Sequence, residues 1–226
     1  MFQGFSEQTI DFLWGIRLNN HRDWFLAHKQ DYLDFLYNPL KELGAELMEA
    51  MEEEFPKEGL QLKVTRIYRD VRRVKYGGLY KDHLWLVIRQ PSEEWTARPA
   101  FYFEIFPEGY EYGMGYYCAR PVQMEQYRRR ILRQPKPLER LARKLERQER
   151  FHLEGEEYKR SKGECSPVLK SWFNRKNITI CTSHDPDERM TTPELKEDIL
   201  EGFRWLMPYY RYFKELELEP PVTDRF

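Results

Sequence analysis

The stretch from residue 100 to 117 constrains the fold more than any other. Residues 100–106 and 110–117 are rich in β-branched and aromatic side chains, and Pro107-Glu108-Gly109 between them carries turn chemistry. That is a hairpin, and a hairpin fixes two strands antiparallel, because a parallel pair needs a crossover of a dozen or more residues. Residues 60–66 alternate with period two, the pattern of a strand with one wet face, and residues 83–89 are similarly strand-like. Residues 151–159 and 177–181 are candidates to return to the same sheet. Neighbouring strands joined by short turns predict an antiparallel, possibly mixed, sheet and not a doubly wound parallel one.

Helical patterns flank this sheet on both sides. Ser6 is placed to cap a helix with Ile10, Leu13 and Trp14 on one face and Phe5 as its staple. Asn20 is placed to cap the next, with Asp23 at the capping-box position. Pro39 suits the first turn of a third, in which Leu40, Leu43, Leu47 and Met51 form a core-facing stripe. Two helices are expected over 121–132 and 138–150, broken at Pro135-Lys136-Pro137. A short one is expected at Ser166-Pro167, and a long one from Thr192 with Pro208 inside it. Without repeat, low-complexity tract or Gly/Ser linker, the chain reads as one α+β domain over residues 1–226.

Met1 to Glu7 has neither the basic nor the apolar region of a secretory signal. Apolar runs such as Leu84-Trp85-Leu86-Val87-Ile88 fall far short of the ~20 residues a membrane helix needs. Cys118, Cys165 and Cys181 are odd in number and widely spaced, which suits free thiols in a reducing compartment. A cytoplasmic protein with no membrane partner is expected.

The formal net charge is −1, so the molecule as a whole does not attract polyanions and a nucleic-acid partner is not expected. The charge is nevertheless segregated. Residues 125–150 are basic in balance and residues 41–58 acidic, and ordinary solvated helix faces account for both. Residues 63–83 set Lys63, Arg66, Arg69, Arg72, Arg73, Lys75 and Lys81 against Asp70 and Asp82, at a strand end followed by Gly77-Gly78. Arginine presents a planar fork of donors matched to phosphate or carboxylate. Tyr80 adds a phenol and His83 an imidazole, the usual proton carrier near neutral pH. Arg66, Arg69, Asp70, Arg72, Tyr80, Lys81 and His83 are therefore the candidate site, with a small anionic ligand as the expected partner. On a strand, Arg66 and Tyr68 share one face and Arg69 the other; on a helical turn Arg66, Arg69 and Arg73 align. Arginine–aspartate clusters also tie turns to sheets, so the same residues suit an architectural role.

Other constellations are weaker. The histidines show no H-E-x-x-H, and no cysteine lies at zinc spacing to them, so no metal is expected. Ser183-His184-Asp185 reads as a turn before the last helix and not as a triad, and Gly113-Met114-Gly115 as a bulge or a point of close packing. No cofactor motif is present.

Arg66-Ile67-Tyr68-Arg69-Asp70-Val71-Arg72, followed by Tyr80-Lys81, resembles the signature of a bacterial family catalogued as domain of unknown function 2461. Gly4-Phe5, Phe12-Leu13 and Asn19-Asn20-His21-Arg22-Asp23-Trp24-Phe25 are similar to its N-terminal block. Phe103-Glu104-Ile105 with Gly113-Met114-Gly115 resembles its hairpin, and Leu169-Lys170 with Arg175-Lys176 its later basic stretch. The chain departs from the family pattern at Arg73, Tyr76-Gly77 and Leu79. The resemblance implies a compact α+β fold and no particular activity. Two functions remain open: a pocket for a phosphate- or carboxylate-bearing ligand, or a non-catalytic protein- or nucleic-acid-interaction module whose arginines are structural.

Overall fold

A computed structural model describes residues 1–70, 78–92, 98–116 and 118–218. The expected hairpin is β3 (Pro99–Phe106) and β4 (Gly109–Tyr116). With β1 (Gln61–Val64), β2 (Leu84–Arg89), β5 (His152–Glu154) and β6 (Thr179–His184) it makes an antiparallel sheet of order β1-β2-β3-β4-β6-β5. His152 pairs with Cys181 and Glu154 with Thr179 across β5 and β6. The fold is α+β, as the sequence implies.

The contacts divide into two compact units, and the chain passes between them repeatedly. One comprises residues 1–88, 102–112 and 183–202, and the other 89–101, 113–182 and 203–226. The strands β2, β3, β4 and β6 and the helix α8 (Glu194–Lys214) each contribute to both.

The first unit holds α1 (Glu7–Leu18), α2 (Arg22–Ala27), the short α3 (Lys29–Asp31) and α4 (Asn38–Glu54). Pro39 lies in the first turn of α4, and its stripe of Leu40, Leu43, Leu47 and Met51 is fully buried. Each such side chain contributes about 1.5–3 kcal/mol by burial. Phe5 stacks on Phe103 at 5.8 Å, and Phe25 on Tyr80 at 4.3 Å. Two local expectations change. The buried face of α1 is Thr9, Phe12, Leu13 and Ile16, so Trp14 turns outward and receives the Arg17 guanidinium 5.0 Å above its ring. The cap of α2 is His21, whose Nδ1 accepts from Trp24 N at 3.3 Å, and Asn20 is free for a long-range task described below.

The second unit holds α5 (Pro121–Arg133), α6 (Pro135–Glu146) and α7 (Lys170–Phe173). Pro135 begins α6 and does not interrupt the chain for long, because a proline at the first turn removes only an N–H that lacks a helical partner anyway. Phe101 packs on Phe203 at 5.0 Å and Tyr210 at 4.8 Å, and Tyr116 Oη donates to Phe213 O at 3.0 Å. Gly113 and Gly115 mark close packing: a Cβ at Gly113 would lie 2.3 Å from Ile180 O, and one at Gly115 2.5 Å from Ile178 O.

Candidate functional site

The candidate segment is held by backbone pairing. Lys81 N donates to Ile67 O at 2.7 Å and Arg69 N to Leu79 O at 3.0 Å, so Tyr68 and Tyr80 form an antiparallel bridge. The chain here is extended: Ile67 is buried while Arg66 and Tyr68 on the opposite face are exposed, the strand alternative of the two. Asn20 anchors the bridge from the start of α2. Its Nδ2 donates to Tyr80 O and its Oδ1 accepts from Tyr80 N, both at 2.9 Å. Gly78 is needed beside it, because a Cβ there would lie 1.9 Å from Asn20 Oδ1.

Charge is organised around Asp82. Its carboxylate accepts from Arg17 Nε at 2.6 Å, from Arg69 Nη2 at 3.4 Å and from His83 Nδ1 at 3.0 Å. Burial pushes its carboxyl up, but the Arg17 and His83 hydrogen bonds outweigh burial and hold it below the usual carboxylate range. Arg17 also clasps Glu108 with both terminal nitrogens. Arg69 is further committed through Nε to Tyr80 O at 2.7 Å. Lys81 Nζ donates to Arg66 O at 2.6 Å and lies 4.3 Å over the Trp85 ring. Burial lowers the Lys81 ammonium, and the nearby Arg66 and Arg69 cations lower it further.

His83 connects this cluster to β3. With Nδ1 on Asp82, its Nε2 lies 3.8 Å from Glu104 Oε1. Burial depresses the His83 imidazole, and Asp82 opposes that. Glu104 alternates with the buried Phe103 and Ile105 and emerges on the half-open face of β3 beside Tyr102. Burial, then the Glu111 and Asp82 charges, push its carboxyl up to about 7. Glu111 accepts from Tyr102 Oη, and from Ser183 Oγ at 2.6 Å. Gathered here are Lys81 with the Arg66 and Arg69 cations acting on it, an imidazole oriented by a carboxylate, and a second carboxyl that exchanges its proton near neutral pH.

Of the residues singled out in the sequence, Arg66, Arg69, Lys81 and His83 sit in this cluster. Tyr80 instead goes inward, 4% exposed and stacked on Phe25. Asp70 is exposed, and Arg72 lies outside the described residues. Glu104, Asp82 and Arg17 are not among the candidate site residues read from the sequence. The signal for Glu104 was present: it is the acidic residue in the otherwise apolar and aromatic Phe101-Tyr102-Phe103-Glu104-Ile105-Phe106. Ser183 and His184 end β6 and do not form a turn: Ser183 bonds Glu111, while His184 stacks on Tyr110 at 4.9 Å.

The family described as conserved hypothetical protein (DUF2461) matches residues 8–212. The chain belongs to this family. Within DUF2461 the match runs from α1 to the last turns of α8, so it contains the whole Arg66–His83 segment and Glu104. No curated protein matches the chain. No helix among the described residues is long and apolar enough to cross a membrane.

Proposed function

We propose that this chain binds a small ligand carrying a phosphate or carboxylate at the Arg66–Lys81 end of β2, with His83 and Glu104 positioned to exchange a proton with it. The observation that carries the reading is the crowding of cations at Lys81. Its ammonium is fixed on Arg66 O and Trp85, close enough to the Arg66 and Arg69 guanidinium groups that both disfavour its charge. An anion relieves that repulsion. Arg69 is held by Tyr80 O and Asp82, so it supplies field and the direct contacts fall to Arg66, Lys81 and His83. Asp70 and Arg72 are further candidates for ligand binding from the sequence alone. A cytoplasmic location goes with this reading, supported by the free cysteines, of which Cys118 is exposed.

The test is thermal unfolding with millimolar phosphate and dicarboxylates for wild type, Arg66→Ala and Lys81→Met. A ligand at 100 times its Kd adds about 2.7 kcal/mol to the native state, a shift of several degrees. The shift is expected in wild type, reduced in both variants, and larger at pH 6 than at pH 8. The sign follows from Glu104, whose proton is bound below about 7, removing a negative charge facing the anion. No shift with any anion, or equal shifts in all three proteins, overturns the proposal.

A second reading has its own support. Arg69 spends its guanidinium on a backbone carbonyl and on Asp82, as an architectural residue does. Under that reading the chain is a non-catalytic protein- or nucleic-acid-interaction module, and retention on heparin would fall steeply with salt.

A further inference from the structure

The basic balance of α5 and the later Arg175-Lys176 stretch meet around one side chain that the reading above does not use. Tyr158 receives the Lys162 ammonium at 4.2 Å from its ring centroid, the Arg128 guanidinium at 5.5 Å and the Lys176 ammonium at 6.0 Å. All four residues lie in the second unit. The ring is held by backbone: Tyr158 N donates to Asn174 O at 2.9 Å and Asn174 Nδ2 to Tyr158 O at 2.8 Å.

The local carboxylates do not balance these cations. Arg128 reaches Glu125 at 3.4 Å, but Glu125 also serves Arg129 at 3.5 Å. Lys176 is paired with Glu156 at 2.6 Å, while among the described residues no carboxylate lies within ion-pair distance of Lys162. One ring quadrupole attracts a cation, yet it adds no negative charge to offset mutual repulsion of three. Arg128 is moreover 7% exposed at its side chain, and its Nη1 is buried with no hydrogen-bond partner. Native structures leave few buried donors unmet, and those that occur call for an explanation such as a bound group. A water leaves the charge excess in place, whereas an anion among these side chains offsets it.

We propose that Arg128, Lys162 and Lys176 around Tyr158 form a phosphate-binding site, separate from the β2 cluster. Three cations around one ring, with a buried guanidinium as the fixed member, suit a dianion with three acceptor oxygens, which a single carboxylate lacks. The two lysines are solvent-accessible arms that close on it, and Glu156 exchanges Lys176 to the ligand. The same chemistry is offered by free phosphate and by a phosphate monoester.

The test uses the full chain at low ionic strength, titrated with inorganic phosphate and with adenosine monophosphate by calorimetry. Wild type is compared with the exposed double variant Lys162→Ala/Lys176→Ala and with Arg66→Ala, which leaves Tyr158 untouched. The expected result is at least a tenfold loss of affinity for one phosphate equivalent in the double variant and its retention in Arg66→Ala. Equal binding of both probes identifies free phosphate as the ligand, and tighter binding of the nucleotide a monoester; either supports the site. Absence of phosphate binding in wild type, or unchanged binding in the double variant, overturns it. So does an oligonucleotide that binds when inorganic phosphate and the mononucleotide do not. Loss confined to Arg66→Ala would uphold the β2 reading and reject this one.

Discussion

Replacing Glu104 with glutamine should stabilise the protein at pH 8 and change it little at pH 5. The ordinary carboxyl of 4.5 is pushed up to about 7 in the folded chain by burial and by the Glu111 and Asp82 charges, with Lys81 opposing. The unfolded chain therefore loses this proton first. Between about 4.5 and 7 the folded state binds it more tightly, so stability falls as pH rises through that window and is level above it. At 1.36 kcal/mol per unit the raised pKa corresponds to roughly 3 kcal/mol by pH 8. The side chain is 32% exposed, and solvent screening reduces the effect to about 1–2 kcal/mol. Glutamine keeps the shape and is never charged, so it escapes this penalty. Urea unfolding of wild type and Glu104→Gln at pH 5 and pH 8 measures the difference. The stability gap in favour of glutamine should widen by about 1–2 kcal/mol, equivalent to roughly 2–8 °C in Tm for a chain of this size. A gap that is equal at both pH values, or a variant less stable than wild type at pH 8, refutes the reasoning. The Lys81, Asp82, Glu111 and His83 groups facing Glu104 would then be arranged otherwise than described.

Asp82→Asn should cost about 2 kcal/mol in denaturant unfolding, because it leaves Arg17 and Arg69 half-buried without their shared counter-charge. It should also lower the His83 imidazole further, read by NMR titration, since Asp82 is what opposes burial there. Gly78→Ala should cost about 2–3 kcal/mol by forcing Asn20 off both of its bonds to Tyr80, and this loss should shrink in an Asn20→Ala background, as double-mutant cycles reveal.

The elements legible in the sequence were those whose signal is local. The hairpin of β3 and β4 follows from its turn residues, and the α4 stripe from its spacing, because each pattern is complete within a few residues. The role of Asn20 was not legible, since its partner Tyr80 lies far along the chain and an asparagine before a helix is ordinarily its cap. Trp14 shared a nominal face with Leu13, but Phe12 and Ile16 took the buried side. The positive cluster was visible as composition. Which of its cations are committed was not, because Arg69 meets Asp82 and the Tyr80 carbonyl only once the bridge closes. Glu104 gained its character from burial and from Glu111 and Asp82 on other segments, which no single-segment reading supplies.

The chain crosses between its two compact units at residues 88–89, 101–102, 112–113, 182–183 and 202–203, so each unit is woven from three separate stretches. Neither can be released by one cut, expressed as a contiguous fragment, or inherited alone by recombination at a single point. A contiguous fragment of this chain therefore holds at most part of either unit together with part of the other, or one unit's stretches interleaved with the other's.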